Sequence, residues 1–498
     1  MRVRATLHNR RAATRVARLT EPDIKDRAAA AAGVIGGRAV LIAGAGIVAN
    51  VVLARLLTPE DFGIVALGAA IVTAGTFLAG GGLGPSLIVR AEPPAAGELA
   101  AVLGIVLAAT LALAAAAAAV ATAFGREGAI VALMVASLPL FALRVPASIV
   151  LERELSYRAI ARAEVAEAAA FYAWAVGTVA AGLGVWGLAS GVVVRAAVGS
   201  AVMVRLAPVG LPRPSPAWRR VRPLLGFGLA FQGSRLVLFA REQGLNVGIA
   251  AIAGLSVLGV WFLAYRVLQI PYLMFKALWR VSFPAMGRLL AAERDPRPAI
   301  EGSARIVVVA TGALLCPLAG SAHALLPALV GPGWDGLADV VLVASLGIAA
   351  AAPQSVAVTG YLLAAGAGRT ILLSSIAQAA VWLGAAFALL PSLGVVAVGI
   401  GWLASSVIGL LTLGIPARRR SGARLWRQLL APVGSTLAGC GAGYLVGTLG
   451  EPSIPLGLAA AAAALAAFGA GVLATARPAV AQTVAAVRVA ARGAFAVG

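Results

Sequence analysis

Lysine is nearly missing from this 498-residue chain: of its 40 cationic residues, only Lys25 and Lys276 are not arginine. With alanine very abundant, the bias marks a GC-rich bacterial genome and lowers the information carried by any single arginine. Charge as a whole is scarce too. Charged residues make up 12% of the sequence against 61% hydrophobic, and mean hydropathy is +0.96, which excludes a soluble domain. Acidic residues number 19, so the formal net charge is +21. Nucleic acid would call for a continuous basic patch, whereas these arginines sit in short, separated gaps, so no nucleic-acid partner is expected. The excess suits attraction to anionic membrane lipids. The two histidines, His8 and His323, stand far apart without ligand-like neighbours, which argues against a metal site. Cys316 and Cys440 fall inside apolar stretches, so no disulfide framework is indicated. The chain lacks a Ser/His/Asp set and a GxxxxGK[ST] phosphate cradle, and is therefore expected to be neither an enzyme nor itself an ATPase. No cofactor is implied. No long hydrophilic stretch leaves room for an extramembrane domain.

What is present is a series of apolar runs of roughly twenty residues, the length that spans the hydrocarbon layer. Fourteen can be marked, at 33–54, 62–89, 98–123, 128–151, 163–184, 186–207, 224–249, 256–279, 303–325, 339–365, 370–390, 393–415, 432–449 and 455–476. The cations alternate between the gaps. Thirty-one fall in the N-terminal segment, every second gap with the span ends that border it (Arg205 and Arg305), and the C-terminal tail, whereas the other gaps hold only Arg55 and Arg126. Translocating cations is disfavoured, so the asymmetry places both termini in the cytoplasm of an all-α, multi-pass protein of the bacterial inner membrane. Arg10-Arg11 is not expected to begin a twin-arginine signal, because Glu21, Asp23 and Asp26 intervene before the first apolar run.

Segment 205–223 holds Pro208, Pro212, Pro214 and Pro216 beside Trp218, Arg219, Arg220 and Arg222, and proline at that density makes an extended spacer. The expected division is a basic surface segment at 1–32, six spans at 33–207, a linker at 208–223 and six more spans at 224–415. A basic loop at 416–431, two last spans at 432–476 and a basic tail at 477–498 follow. An internal echo accompanies the division: Leu57-Thr58-Pro59-Glu60-Asp61-Phe62-Gly63 opens the second span of the first half, and Leu255-Ser256-Val257-Leu258-Gly259 opens that of the second. Internal repeats are common in transporters.

Apart from Arg205 and Arg305 at span ends, seven cations break the alternation by lying inside spans: Arg38, Arg144, Arg195, Arg235, Arg241, Arg266 and Lys276. A charge at the bilayer centre costs at least about 2.5–3.5 kcal/mol. Such residues either face a cavity or a partner, or snorkel to the headgroups. Arg38, Arg144 and Lys276 lie near cytoplasmic ends and suit either reading, while Arg195, Arg235 and Arg266 are deeper. Gln232, Arg235, Phe239, Glu242 and Asn246 follow at steps of 3, 4, 3 and 4, as do Arg266, Gln269, Leu273, Lys276 and Arg280. Each set shares one helical face. The two stripes suggest an aqueous cavity with more cations than carboxylates, suited to phosphate or pyrophosphate, which arginine binds bidentately. The other reading is an interhelical network with Arg235 or Arg266 neutralised by Glu242. Glu242 is the candidate for ion coupling; Glu164 and Glu167 sit at the cytoplasmic start of the fifth span.

Several segments resemble bacterial polysaccharide transporters of the Wzx type, within the multidrug/oligosaccharidyl-lipid/polysaccharide (MOP) superfamily. They are Ala54-Arg55-Leu56-Leu57-Thr58-Pro59-Glu60-Asp61-Phe62-Gly63, Gly82-Leu83-Gly84-Pro85-Ser86, Leu151-Glu152-Arg153-Glu154-Leu155-Ser156-Tyr157-Arg158 and Gly184-Val185-Trp186-Gly187. Further along come Leu263-Ala264-Tyr265-Arg266-Val267-Leu268-Gln269-Ile270-Pro271, Phe283-Pro284-Ala285 and Gly331-Pro332-Gly333-Trp334. The likeness runs over roughly residues 33–415. It implies two six-helix lobes around a central cavity plus two C-terminal helices, and a flippase that turns an undecaprenyl-pyrophosphate-linked oligosaccharide to the outer leaflet by alternating access. It also implies polymerase and glycosyltransferase partners. Arg266 and Gln269 lie within a matching motif. The chain departs from the pattern at Arg241-Glu242-Gln243-Gly244-Leu245-Asn246, where relatives often carry Asn or Asp. The expected substrate-binding residues are Arg235, Arg266, Gln269, Gln232, Asn246, Arg195 and Arg38. A peptidoglycan-precursor flippase and a multidrug antiporter of the same superfamily remain alternatives. A membrane glycosyltransferase or polymerase fits less well because the outer gaps are short.

Overall fold

The computed structural model describes residue 38 and residues 41–475, except the side chains of residues 230, 231, 234, 270–285, 427 and 428. The basic segment 1–32 and the tail 477–498 lie outside the described residues. The chain is helical because hydrocarbon offers no partner to a backbone N–H or C=O, so each segment must satisfy its own. The helices are α1 (Leu41–Leu56), α2 (Pro59–Gly80), α3 (Leu83–Val89), α4 (Ala96–Ala121), α5 (Gly125–Val135), α6 (Leu138–Leu143), α7 (Val145–Arg153), α8 (Tyr157–Thr178) and α9 (Val185–Leu206). After the proline-rich segment come α10 (Trp218–Ala291), α11 (Arg297–Val330), α12 (Leu337–Pro353), α13 (Thr359–Ala364), α14 (Gly368–Leu393), α15 (Val396–Ser421), α16 (Leu425–Gly447) and α17 (Ile454–Thr475).

Among the described residues, eleven helical runs are long and apolar enough to cross a membrane, and α1 is a shorter apolar helix. The protein is thus an all-α, multi-pass membrane protein. Hydropathy marks fourteen stretches rather than eleven, partly because helical structure continues through two places where hydropathy dips. The run Ala96–Leu143 covers 48 residues, which as straight helix would measure roughly 72 Å, over twice the hydrocarbon thickness of about 30 Å. It is interrupted by a 3₁₀ turn at Thr122–Phe124 and by Gly125 at φ 54°. In the 74-residue α10 the break is Gly254, at φ 87° and ψ 174°, a conformation that only glycine adopts without strain.

Two compact units divide the chain. Among the described residues, the first contains those up to Ala49 together with Ile64–Phe239, and the second contains Asn50–Gly63 and Ala240–Thr475. In the first unit the chain leaves helix between Leu206 and Trp218, and the Ser215 N–H donates to the Ala100 carbonyl at 2.9 Å. Beneath it, Leu83, Leu87, Leu99, Val102, Val106, Ile149 and Val221 form a buried core.

In the second unit, the start of α2 shows why Thr58-Pro59-Glu60-Asp61 stands where it does. Thr58 caps the helix: its Oγ1 accepts from the Asp61 N–H at 3.2 Å, and Asp61 Oδ2 accepts from the Thr58 N–H at 3.1 Å. This reciprocal arrangement satisfies two otherwise orphaned donors, and Pro59 occupies the first helical position, where no N–H is needed. The capped turn then meets the other half of the internal echo. A Cβ on Gly63 would lie 1.9 Å from the Leu255 carbonyl oxygen, and one on Gly259 would lie 1.7 Å from the Pro59 carbonyl oxygen. The two echoed segments therefore cross backbone to backbone, each contributing the glycine that the other requires. Beside this crossing, the Gly331–Trp334 turn is fixed by the Trp334 indole N–H, which donates to the Ala54 carbonyl at 3.1 Å. Arg55 donates to the carbonyls of Ala328 and Leu329, both at 2.6 Å. Helices α16 and α17 pack on α11 through small residues: a Cβ on Gly443 would lie 2.8 Å from both the Ala464 Cβ and the Gly320 Cα.

The crossing yields a prediction. Gly259→Ala is expected to destabilise the protein by about 1–3 kcal/mol, because a backbone carbonyl cannot yield as a side chain can. Thermal unfolding in detergent checks this, with Gly414→Ala as control, since a Cβ there meets nothing within 4 Å.

Candidate functional site

Three cations of the first unit, Arg38, Arg144 and Arg195, meet carboxylates of one helix. Glu164 and Glu167 lie three residues apart on α8, so both project from the same side. Glu167 is only 4% exposed. Its Oε2 accepts from Arg144 Nη1 at 2.6 Å, and its Oε1 accepts from Arg195 Nη2 at 3.0 Å and Nε at 3.3 Å. Arg38 pairs with Glu164. Three cations and two carboxylates thus gather within one compact unit, leaving one net positive charge.

Local sequence explains how each member arrives. Arg144 stands at the break between α6 and α7, just ahead of Pro146, and its guanidinium lies 4.8 Å from the centroid of the Phe141 ring. Arg195 comes from the middle of α9. Trp174 Nε1 donates to Ser190 Oγ at 3.0 Å, linking α8 to α9, and Ser200 Oγ donates to the Leu140 carbonyl at 2.6 Å, linking α9 to α6. One turn beyond Arg195, Gly199 provides the room for the carboxylate: a Cβ there would sit 2.2 Å from Glu167 Oε2. The two guanidiniums remain partly open, Arg144 at 28% and Arg195 at 44% side-chain exposure. Each has five N–H donors in a planar fork, of which Glu167 engages one from Arg144 and two from Arg195.

The remaining candidates fall on α10, and the unit boundary divides them. In the first unit, Gln232 donates through Nε2 to the Phe77 carbonyl at 2.6 Å, and Phe239 stacks on the Phe77 ring with centroids 4.3 Å apart. These members of the stripe bind α10 to α2, while Arg235 is exposed. In the second unit, Glu242 is half exposed and 3.8 Å from Arg241, and Arg241 stands over the Trp382 ring at 5.1 Å. Trp382 belongs to a largely buried aromatic group with Trp261, Tyr265 and Trp402. Arg266 stands over the Phe262 ring at 4.9 Å. Gln269 is exposed and Asn246 half-buried. The side chains of Lys276 and Arg280 lie outside the described residues.

The structure therefore pairs Arg38 with Glu164 and brings Arg144 and Arg195 together on Glu167, two carboxylates that the sequence places at a span's edge and that were not among the expected site residues. A signal was available. Two acidic residues three apart in an apolar helix need nearby cations, and Arg144 and Arg195 were the free intramembrane cations of the neighbouring spans. Gly199 carried no sequence signal. The stacking of Arg241 on Trp382 spans about 140 residues of sequence and carried none either. Among the described residues no group of three or more His, Cys, Asp or Glu side chains is placed to hold a metal ion.

Residues 52–339, more than half of the chain, match the family described as polysaccharide biosynthesis protein. The succinoglycan biosynthesis transport protein ExoT of Rhizobium meliloti (strain 1021) is 26% identical over 299 residues, 57% of this chain. The chain spans 58% of the length of that relative. Among solved structures, the lipid II flippase MurJ in an inward closed conformation superposes with a TM-score of 0.69 at 11% identity, covering 89% of this chain and 98% of that one. An inward-facing multidrug resistance MATE family transporter of the MOP superfamily gives 0.51 at 16% identity, covering 76% and 94%. At these identities the two structures establish a shared fold. The chain, with the fold of the MOP superfamily, belongs to the family of polysaccharide biosynthesis proteins.

Proposed function

We propose that this protein is a flippase of the bacterial inner membrane that moves a lipid-pyrophosphate-linked oligosaccharide from the cytoplasmic to the outer leaflet for surface polysaccharide biosynthesis. The observation that carries the reading is the cluster of Arg38, Arg144 and Arg195 around Glu164 and Glu167, in a chain of the polysaccharide biosynthesis family. A pyrophosphate cannot enter hydrocarbon unless fixed donors replace its water. Arginine replaces it best, offering two parallel N–H bonds to each oxyanion pair. The carboxylates serve the same end. They hold the guanidiniums in place when no cargo is bound, yet leave one positive charge and several N–H donors for an anion.

Arg235 and Arg266 supply further cationic contacts in this reading, and Gln232, Gln269 and Asn246 supply polar contacts to the saccharide. Transport proceeds by alternating access. Glu242, half exposed beside Arg241, is the candidate for ion coupling. The arginine asymmetry of the gaps puts both termini in the cytoplasm. There glycosyltransferases build an undecaprenyl-pyrophosphate-linked cargo, and a polymerase consumes it on the other side.

The reading is tested in cells by leaflet-resolved measurement of the undecaprenyl-linked saccharide. Arg195→Ala, Arg235→Ala and Arg266→Ala are each expected to cut outer-leaflet appearance per inserted protein at least about tenfold, the cost of losing one charged hydrogen-bond donor set, with protein abundance unchanged in Arg235→Ala and Arg266→Ala. Normal surface polysaccharide in all three variants would remove the assignment. Depletion that halts wall growth, while surface polysaccharide continues, would instead favour a peptidoglycan precursor as cargo.

A separate outcome is expected for Glu167→Gln. It leaves two guanidiniums without their shared counter-charge and should cost about 2–3 kcal/mol, the low end for a broken buried pair because both arginines are partly exposed. Membrane abundance and thermal stability in detergent measure it. Gly199→Val should lower both in the same way by displacing the carboxylate.

A further inference from the structure

Three charges recur at steps of four near the start of α11, so that Arg297, Glu301 and Arg305 share one helical face. The turn between α15 and α16 lies against the first two. Arg297 Nε donates to the Ser421 carbonyl at 2.7 Å, and Glu301 accepts from the Arg424 N–H at 2.6 Å. Gly422, at φ 72°, makes room for the first contact, since a Cβ there would lie 2.7 Å from Arg297 Nε. The third member differs. No hydrogen bond or ion pair joins Arg305 to the described residues, and its Nε is buried without a partner. The protein seats this guanidinium and gives it no acceptor.

Its position follows from how α11 and α16 run together. Glu301 meets Arg424, a Cβ on Gly312 would lie 2.6 Å from Thr436 Oγ1, and one on Gly443 would lie 2.8 Å from the Gly320 Cα. The two helices advance in parallel, which puts Arg305 level with the first turn of α16. The length of α11 gives the depth. Its 34 residues measure roughly 51 Å, about 20 Å more than the hydrocarbon layer. Centred in the bilayer, it leaves about 10 Å outside at each end, and Arg305 stands about 12 Å from its start. That is the boundary between acyl chains and headgroups. Trp426, exposed in the same first turn of α16, suits an interface, where indole rings collect.

A cation partly withdrawn from water is costly unless a counter-charge meets it, and the neighbouring chain supplies none. Arg418, Arg419 and Arg420 end α15 and Arg424 follows, all exposed. Glu301 and Asp295, the carboxylates beside Arg297 in sequence, are engaged by the Arg424 N–H and 3.8 Å from Arg297 respectively. Helices α16 and α17 contain no acidic residue. An arginine at this depth ordinarily bends its head freely toward water; Arg305 is instead held at its Nε, with its terminal N–H groups lacking an acceptor. We propose that Arg305, with Arg297 and Arg424, forms a site for the headgroup phosphate of an anionic phospholipid. The phosphate accepts two parallel N–H bonds from the guanidinium, and basic recesses between membrane helices are where such lipids settle. The surplus of arginine selects against a zwitterionic lipid, whose own cation it repels. The bound lipid ties the start of α11 to the α15–α16 turn and is a resident of the fold, separate from any transported one.

Native mass spectrometry of the full chain in a neutral detergent, titrated with dioleoyl phosphatidylglycerol, tests the site. The first lipid bound is followed in the wild type, Arg305→Ala, Arg424→Ala and Arg369→Ala, the last an exposed arginine at the start of α14. Arg305→Ala is expected to weaken that binding about tenfold, as loss of a charged donor does, and Arg424→Ala about threefold, as loss of an exposed charge does. Arg369→Ala should stay within about twofold of the wild type. Dioleoyl phosphatidylcholine should bind the wild type at least about tenfold more weakly than phosphatidylglycerol. Equal loss in Arg305→Ala and Arg369→Ala, or equal binding of the two lipids, would overturn the proposal. Displacement of the lipid by excess inorganic phosphate would overturn it too, since the site would then take the free anion. If Arg305→Ala does not fold, Arg424→Ala decides, because its backbone N–H still reaches Glu301; unchanged binding there refutes the site. None of these measurements involves a saccharide, so failure here is separate from failure of the flippase reading.

Discussion

Hydrocarbon gives a charged side chain no solvation, and the placement of Glu167 between Arg144 and Arg195 follows from that constraint. Each of these groups alone would be costly in a membrane span. Together they let a guanidinium remain ionised and fixed in direction inside an apolar helix assembly. The rest of the first unit accommodates the group. The α6–α7 break aims Arg144, Gly199 leaves space for the carboxylate, and hydrogen bonds from Trp174 and Ser200 hold α8, α9 and α6 together. One net positive charge is left over. In the proposed reading, that unneutralised charge is what the anionic cargo engages.

The same scarcity of solvation shapes the backbone. Lipid tails are as apolar as leucine, so helices associate through close fit instead of the hydrophobic effect. Gly63 and Gly259 show how close the fit becomes, with each glycine admitting a carbonyl oxygen of the other segment. The Thr58–Asp61 cap belongs to the same device, because it fixes where α2 begins and therefore which residue meets Leu255. Stability and site geometry thus share one cause. Polar groups are paired locally, and small residues let the pairs approach.

Much of the fold could be read from particular residues. Apolar runs of about twenty residues announced membrane helices. Pro208, Pro212, Pro214 and Pro216 announced the non-helical passage before Trp218. The Leu57–Gly63 and Leu255–Gly259 echo was legible as an internal repeat, but that the two segments cross each other was not. The count of helices was less legible, since at Gly125 and Gly254 one helix follows another with only a glycine break between them, where hydropathy suggests separate spans. The site was legible only as a set of cations. The i, i+4 stripe on α10 marked Gln232 and Phe239 as a shared face, but periodicity cannot say whether a face meets water or a neighbouring helix. Here those two meet Phe77.

What the sequence determined by itself was the class of environment and the positions of the costly charges, because hydropathy and charge are local properties of each residue. Tertiary structure alone decided which charge answers which. Glu167 lies 23 residues from Arg144 and 28 from Arg195, and the local pattern could offer those cations as candidates without fixing which carboxylate meets which. Pairing energy depends on distance in space and on the surrounding dielectric, and both are set only when the helices have packed.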